Sequence, residues 1–175
     1  MIPSRETLGI SGAFIQHPVD LYYYAGGRQK ASMYIPSQAA EEQRSILFVR
    51  RSLQRAQFEG GGSDAPHEVV AFPRSAELVD TLRKRGVETA PGLQYGEIPA
   101  TFVQRFAKIF VELGTCPDVT GIIHGQREVK SAWEIEQMDA AADVQLRMFE
   151  AVEAVGGEGI TELELVAAAE AVSRS

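Results

Sequence analysis

The stretch Arg127-Glu128-Val129-Lys130-Ser131-Ala132-Trp133-Glu134-Ile135 marks where the chain changes character. Before it, short apolar runs bounded by Gly and Pro alternate with helical patterns. After it, apolar residues recur only at helical spacing. Ser131-Ala132-Trp133-Glu134 reads as a capping box, in which Ser takes backbone N–H groups of the first turn and Glu reaches back to the cap. Met138, Ala142, Leu146 (or Gln145), Phe149, Val152 and Val155 continue one stripe until Gly156-Gly157 ends it. Thr161-Glu162-Leu163-Glu164 is a second capping box, followed by Val166, Ala167 and Ala171. Two amphipathic helices make too little core to stand alone. The expectation is that they open a second domain and that the chain stops inside it.

Upstream, Ser11 to Gln16 reads as a buried strand, His17-Pro18-Val19-Asp20 as a turn, and Leu21 to Ala25, rich in tyrosine, as a second strand. Ala31 to Ile35, Ser45 to Arg50 and Glu68 to Phe72 resume the strand pattern, with one or two helical turns at Ser52 to Phe58. The glycine run at 60–62 reads as a surface loop; no strand, helix start or lysine makes it a phosphate cradle. Ser75 reads as the N-cap of a helix that Gly86 stops, with Arg83-Lys84-Arg85 explained by the helix dipole. Val87 to Ala90 reads as a short strand, Pro99 as the first residue of a helix carrying Phe102, Phe106 and Phe110, and Val119 to Ile123 as a last strand or turn. The fold class expected is α/β: a mixed sheet of about six strands flanked by helices over residues 1–128, then two helices in residues 129–175.

Composition limits what such a chain can do. Its 175 residues are 45% hydrophobic and 23% charged, within the ordinary globular range. The net charge is −7, and ten acids against two bases in residues 131–175 account for it. An acidic chain without a basic stripe is a poor nucleic-acid binder. No apolar run reaches the roughly 18 residues of a membrane helix, and Met1 to Glu6 lacks a signal-peptide pattern. The single cysteine, Cys116, cannot form an internal disulfide, and the compartment expected is the cytosol.

His17, His67 and His124 are too scattered for a metal motif, so no metal site is expected. Cys116 lacks the paired histidine of a nucleophile. The run Ser11–Gln16 lacks the acids that a carboxylate nuclease would carry on its strand. Tyr22, Tyr23 and Tyr24 admit core packing or a functional role for the loop that follows them. Arg50, Arg51 and Arg55 admit ion pairing with Glu41, Glu42 or Glu59.

Five segments in order carry a resemblance. Asp20-Leu21-Tyr22-Tyr23-Tyr24-Ala25-Gly26 with Gln29, then Leu47 to Ser52 with Arg55 and Glu59, then Pro91-Gly92-Leu93 with Ile98-Pro99-Ala100, are the first three. Arg127 to Ile135 and Gly159 to Leu165 complete the set. Together they resemble the creatinase, aminopeptidase P and prolidase group, the pita-bread metallopeptidases. The chain departs from that pattern before its first strand, where only Ile2 to Ile10 stand in place of a three-turn helix. Gly27 and the glycine run at 60–62 are further departures.

The resemblance implies a creatinase-like N-terminal domain with a ribonuclease-H-like motif at 1–128, joined to the opening of a pita-bread domain. The family's ligands (two aspartates, one histidine and two glutamates) would fall after residue 175, so no catalytic residue is assigned here. In the full-length parent the resemblance implies a homodimer that cleaves the bond before proline in a peptide. Two divalent ions, manganese or cobalt, would activate the water. Tyr23, Gly26, Arg28 and Gln29 would lie in a loop facing the active site of a neighbouring subunit, and Arg127, Lys130, Ser131 and Glu134 would form the linker motif. A creatinase-like hydrolase of a small molecule and a free-standing binding module are the rival expectations.

Overall fold

The computed structural model describes residues 9–27, 29–37, 43–60 and 62–174. It divides into two units, Met1–Arg127 and Glu128–Ser175. The first is built on a five-stranded sheet: β1 (Gly12–Ile15), β2 (Ala31–Pro36), β3 (Ser45–Val49), β4 (His67–Ala71) and β5 (Gly92–Leu93). Their order across the sheet is β4-β3-β2-β1-β5. β1 and β3 flank β2 antiparallel, whereas the two outer strands, β4 and β5, pair parallel to their neighbours. This is the mixed α/β sheet expected from the sequence, with five strands rather than six.

Both faces of the sheet are covered, which is why its strands read as nearly continuous apolar runs. Phe14, Tyr34, Ile46 and Phe48 point to one face, against α3 (Leu78–Arg83) and α4 (Ala100–Ile109). Ala13, Ile15, Met33, Leu47 and Val49 point to the other, where α1 (Pro18–Ala25), α2 (Leu53–Glu59) and α5 (Thr120–Glu128) contribute Leu21, Ala56 and Ile123. The alternation follows from the two-residue period of a strand. β1 and β2 lie so close that a Cβ on Gly12 would stand 2.1 Å from the Ile35 carbonyl oxygen.

Five local expectations are corrected. Leu21 to Ala25 is not a strand but the body of α1, which starts at Pro18 and ends on Gly26 in the left-handed conformation, φ 70°. A proline in the first turn and a glycine after the last are the terminal signals of a helix, and they override the β preference of three tyrosines. Val87 to Ala90 forms no strand; the parallel pairing with β1 falls instead on Gly92 and Leu93. Val119 to Ile123 is helical from Thr120 onward, and only Asp118 makes a bridge, to Leu93. Ser75 lies in a 3-10 turn at Ser75–Glu77 before α3, and Pro99 is the N-cap of α4 rather than its first residue. Ile2 to Leu8, including most of the segment read as unusually short, lies outside the described residues.

The second unit is a pair of helices, α6 (Ala132–Val155) and α7 (Glu162–Ser173), packed against one another. Each opens with the complete capping box read from the sequence, Ser131 with Glu134 and Thr161 with Glu164. Neither helix has a buried residue; Met138, Leu146, Phe149 and Leu163 are all exposed.

Candidate functional site

Asp20 stands in the first turn of α1, where a carboxylate suits the helix dipole, and it is wholly buried. Arg127 Nη1 donates to one of its oxygens at 2.7 Å. Gln94 Nε2 donates to the other at 2.6 Å, and His17 Nδ1 lies 3.2 Å from that same oxygen. The Gln94 Oε1 in turn accepts from the backbone N–H groups of Gln16 and His17. A charge so placed is tolerable only because a cation and a hydrogen-bond donor reach it, so that neither carboxylate oxygen is left without a partner.

Arg127 also stacks 5.9 Å from the Tyr23 ring, and Tyr23 meets Tyr24 edge to face at 4.9 Å. The Tyr24 hydroxyl donates to Gln126 Oε1 at 2.6 Å. Burial pushes the Tyr24 phenol up to about 12, with Tyr23 and Asp20 adding to the effect. The last turn of α5 is thus fastened to α1 by two hydrogen-bonded pairs and one ring contact.

The loop after α1 is anchored separately. Gln29 Nε2 donates to Glu59 Oε2 at 2.7 Å, and Arg55 Nε donates to the other Glu59 oxygen at 2.6 Å. These two donors hold the Glu59 pKa below the usual carboxylate range, the Gln29 bond counting most. Two clefts flank Gln29. One, of about 400 Å³, takes in Gln16, Lys30, Ser32, Arg50 and Phe102; the other, of about 440 Å³, takes in Pro18, Val19 and Tyr22.

Of the residues singled out in the sequence, the structure brings Tyr23 and Arg127 together. Gly26 caps α1, and Gln29 joins Glu59 at the end of α2. Arg28 lies outside the described residues, as do Glu41 and Glu42. Ser131 and Glu134 cap α6, and Lys130 Nζ donates to the Glu128 carbonyl at 3.2 Å. Arg55 does pair with Glu59, whereas Arg50 stacks 3.7 Å from the centre of the Phe72 ring. Buried Cys116, its thiol pushed up to about 11 by burial, has the chemistry of a core residue. Sequence reasoning missed Gln94, Gln126 and Glu97. Glu97 pairs with His124 at 2.6 Å and approaches His17 at 3.6 Å. None of the three stands in a motif that marks it. Asp20 and Arg127 were each visible in a motif, and opposite charges in two such segments were the available signal that they meet. Among the described residues no three His, Cys, Asp or Glu side chains gather as metal ligands, and no helix is long and apolar enough to cross a membrane.

The sheet order, the helices on both faces and the α1–α5 clasp define an α/β domain of one recognisable class. A family model, the creatinase/prolidase N-terminal domain, matches residues 4–129, and the chain belongs to that family. Among solved structures, the prolidase from Pyrococcus horikoshii is similar at TM-score 0.72 and 19% identity, over 97% of this chain and 46% of its own. The X-Pro aminopeptidase from Thermotoga maritima is similar at TM-score 0.72 and 20% identity, over 97% and 48%. A zinc-substituted aminopeptidase P from E. coli, in complex with product, is similar at TM-score 0.61 and 18% identity, over 89% and 39%. The chain spans less than half the length of each. Comparison with curated protein sequences gives no match.

Proposed function

We propose that the chain is the N-terminal, non-catalytic domain of a Xaa-Pro peptidase, of the aminopeptidase P or Xaa-Pro dipeptidase type, together with the opening helices of its catalytic domain. On this reading residues 129–175 lead into a pita-bread domain. The observation that carries it is the reach of the likeness. Similarity to prolidase and X-Pro aminopeptidase runs through 97% of the chain, beyond the family match that ends at residue 129 and into α6 and α7. The role of the chain is support in a cytoplasmic homodimer: subunit contact, and a wall of Tyr23, Gly26, Arg28 and Gln29 that limits substrate length. The Gln29–Glu59–Arg55 anchor would fix one side of that wall.

The two divalent ions that the reading assigns to the parent have no ligand set among the described residues, so no chemical step is assigned to this chain. In the parent such ions supply an activated water and a polarised scissile carbonyl. The test is the reading frame past Ser175, expressed as the full-length protein with manganese and offered proline-containing di- and tripeptides. Hydrolysis before proline is expected, lost when the downstream carboxylates are neutralised, while the 175-residue chain alone hydrolyses nothing. A reading frame without the five ligands in order sinks the proposal. Because the matched family also spans creatinase, creatine belongs in the same assay, and its turnover in place of peptides transfers the reading to the small-molecule branch.

A further inference from the structure

The cleft of about 400 Å³ beside Gln29 is bordered by two cations that no anion among the described residues answers. Arg50 follows β3 with its guanidinium flat on Phe72, at 3.7 Å from the ring centre, and no side chain or carbonyl among the described residues accepts from that guanidinium. Lys30, just before β2, has no side-chain partner among them either. The Gln16 side chain lines the same cleft, and both its Oε1 and its Nε2 are buried without a hydrogen-bond partner among the described residues. A buried amide with neither end satisfied is rare in a folded protein and marks a place where a ligand or water belongs. Glu97, on the same rim, is already engaged by His124 and His17. Leu21, Ile98 and Phe102 give the remaining wall an apolar side, beside the polar Gln29 and Ser32. Burial and the nearby Arg105 both hold the Arg50 pKa below that of a free arginine, so the cation is kept there at a cost that an anion would relieve.

We propose that this cleft binds the carboxylate of a small molecule with an apolar body, with Arg50 as a bidentate fork, Lys30 as a second cation and the Gln16 amide as a neutral donor. The guanidinium plane matches two carboxylate oxygens. The apolar side formed by Leu21, Ile98 and Phe102 suits a hydrocarbon body, and Glu97 disfavours a dianion such as phosphate. The carboxylate can belong to a free organic acid or to the C-terminus of a short peptide. The inference stands apart from the peptidase reading, because the cleft is formed by this chain whatever its parent hydrolyses.

The test is a titration of the ¹⁵N-labelled 175-residue chain with N-acetyl-leucine, its amide N-acetyl-leucinamide, a tetrapeptide ending in leucine, and inorganic phosphate at matched ionic strength. The acid is expected to shift the Arg50 Nε–H and the Gln16 side-chain amide, and to bind about tenfold or more tightly than its amide. Arg50→Gln is expected to abolish binding and Lys30→Met to weaken it severalfold. Should loss of the Phe72 stack unfold Arg50→Gln, Lys30→Met alone carries the comparison. Binding of the peptide in competition with the acid assigns the site to chain termini; binding confined to the acid assigns it to small molecules. Equal affinity for acid and amide, phosphate binding as tight as the acid, or no shift at Arg50 and Gln16 by about 10 mM overturns the proposal.

Discussion

Asp20 is a charge taken wholly out of water, and three side chains from three parts of the fold converge on it. Removing one member of a buried ion pair costs about 3–5 kcal/mol, because the partner's desolvation is left uncompensated. Here Arg127 keeps a third of its side chain in solvent, which discounts that figure. Asp20→Ala is expected to lower the unfolding free energy by about 3 kcal/mol in urea titration, and Arg127→Met by less, since Gln94 still serves the carboxylate. A loss under about 1 kcal/mol for Asp20→Ala would show that the network is ornamental. His67 makes the opposite case. It is buried at the start of β4, neither ring nitrogen has a partner among the described residues, and burial with the nearby Arg44 lowers its pKa. The unfolded chain therefore binds the proton more readily than the native one. Its stability contribution is complete above the unfolded value near 6.5 and is lost as pH falls below it. Urea midpoints are expected to drop between pH 7 and pH 5.5, and His67→Leu to flatten that drop while costing little at pH 7. An unchanged slope in His67→Leu would refute the assignment. Glu59 and Asp118 act in a separate, more acidic window. Hydrogen bonds from Gln29 and Arg55 lower Glu59. At Asp118, burial opposes the charged form, but hydrogen bonds from Thr120 and Tyr95 prevail and lower it too. Their contributions are present above about pH 4 and are lost below it.

Among the elements, what was legible and what was not divide by physical cause. β1, β2, β3 and β4 were visible because both faces of the sheet are covered, so each strand is an apolar run with turn residues at its ends. α6 and α7 were visible because their capping boxes are local and complete. α1 was missed because Tyr22-Tyr23-Tyr24 carries strand propensity, whereas the signals for a helix are single residues at its ends, Pro18 and Gly26. β5 was missed because two residues, Gly92 and Leu93, hold no periodicity; only the close approach of neighbouring chain requires the glycine. A Cβ on Gly92 would stand 2.1 Å from Val119 Cγ1. The same reasoning yields a prediction at Gly12, where the obstacle is backbone rather than a side chain. Gly12→Ala would press its methyl group against the Ile35 carbonyl oxygen across the β1–β2 pairing, and neither strand can retreat while its far face is packed. The expected cost is about 3 kcal/mol, at the upper end of overpacking effects. Thermal denaturation followed by circular dichroism checks it, and a wild-type midpoint would mean that β1 and β2 have more slack than their register implies.

For the whole molecule, the question is which residues hold the first unit together, and both core clusters answer it, since they lie between Ile10 and Ile123. No residue of α6 or α7 is buried, so neither helix belongs to a core. Helices of that kind sit at the low end of local stability, where amide exchange is fast. Two kinds of residue therefore follow one another within a few positions: Gln126 and Arg127 fasten α5 to α1, whereas Ser131 and Glu134 cap α6. Two shortened chains distinguish these roles. A chain ending at Lys130 keeps both fastenings and every residue of the two core clusters among the described residues, and is expected to melt within about 2 °C of the 175-residue protein. A chain ending at Gln126 leaves the Asp20 carboxylate without Arg127, and is expected to lose about 2 kcal/mol, equivalent to roughly 8 °C at this size. Hydrogen exchange on the 175-residue chain gives the complementary readout, with amides of α6 and α7 exchanging well before those of β1, β2 and β3. If the chain ending at Lys130 fails to fold, or if the amides of α6 are protected as long as those of β2, then the stability of the first unit depends on residues beyond α5. The Asp20–Arg127 pair would then be a point along one cooperative structure and not the place where the first unit closes.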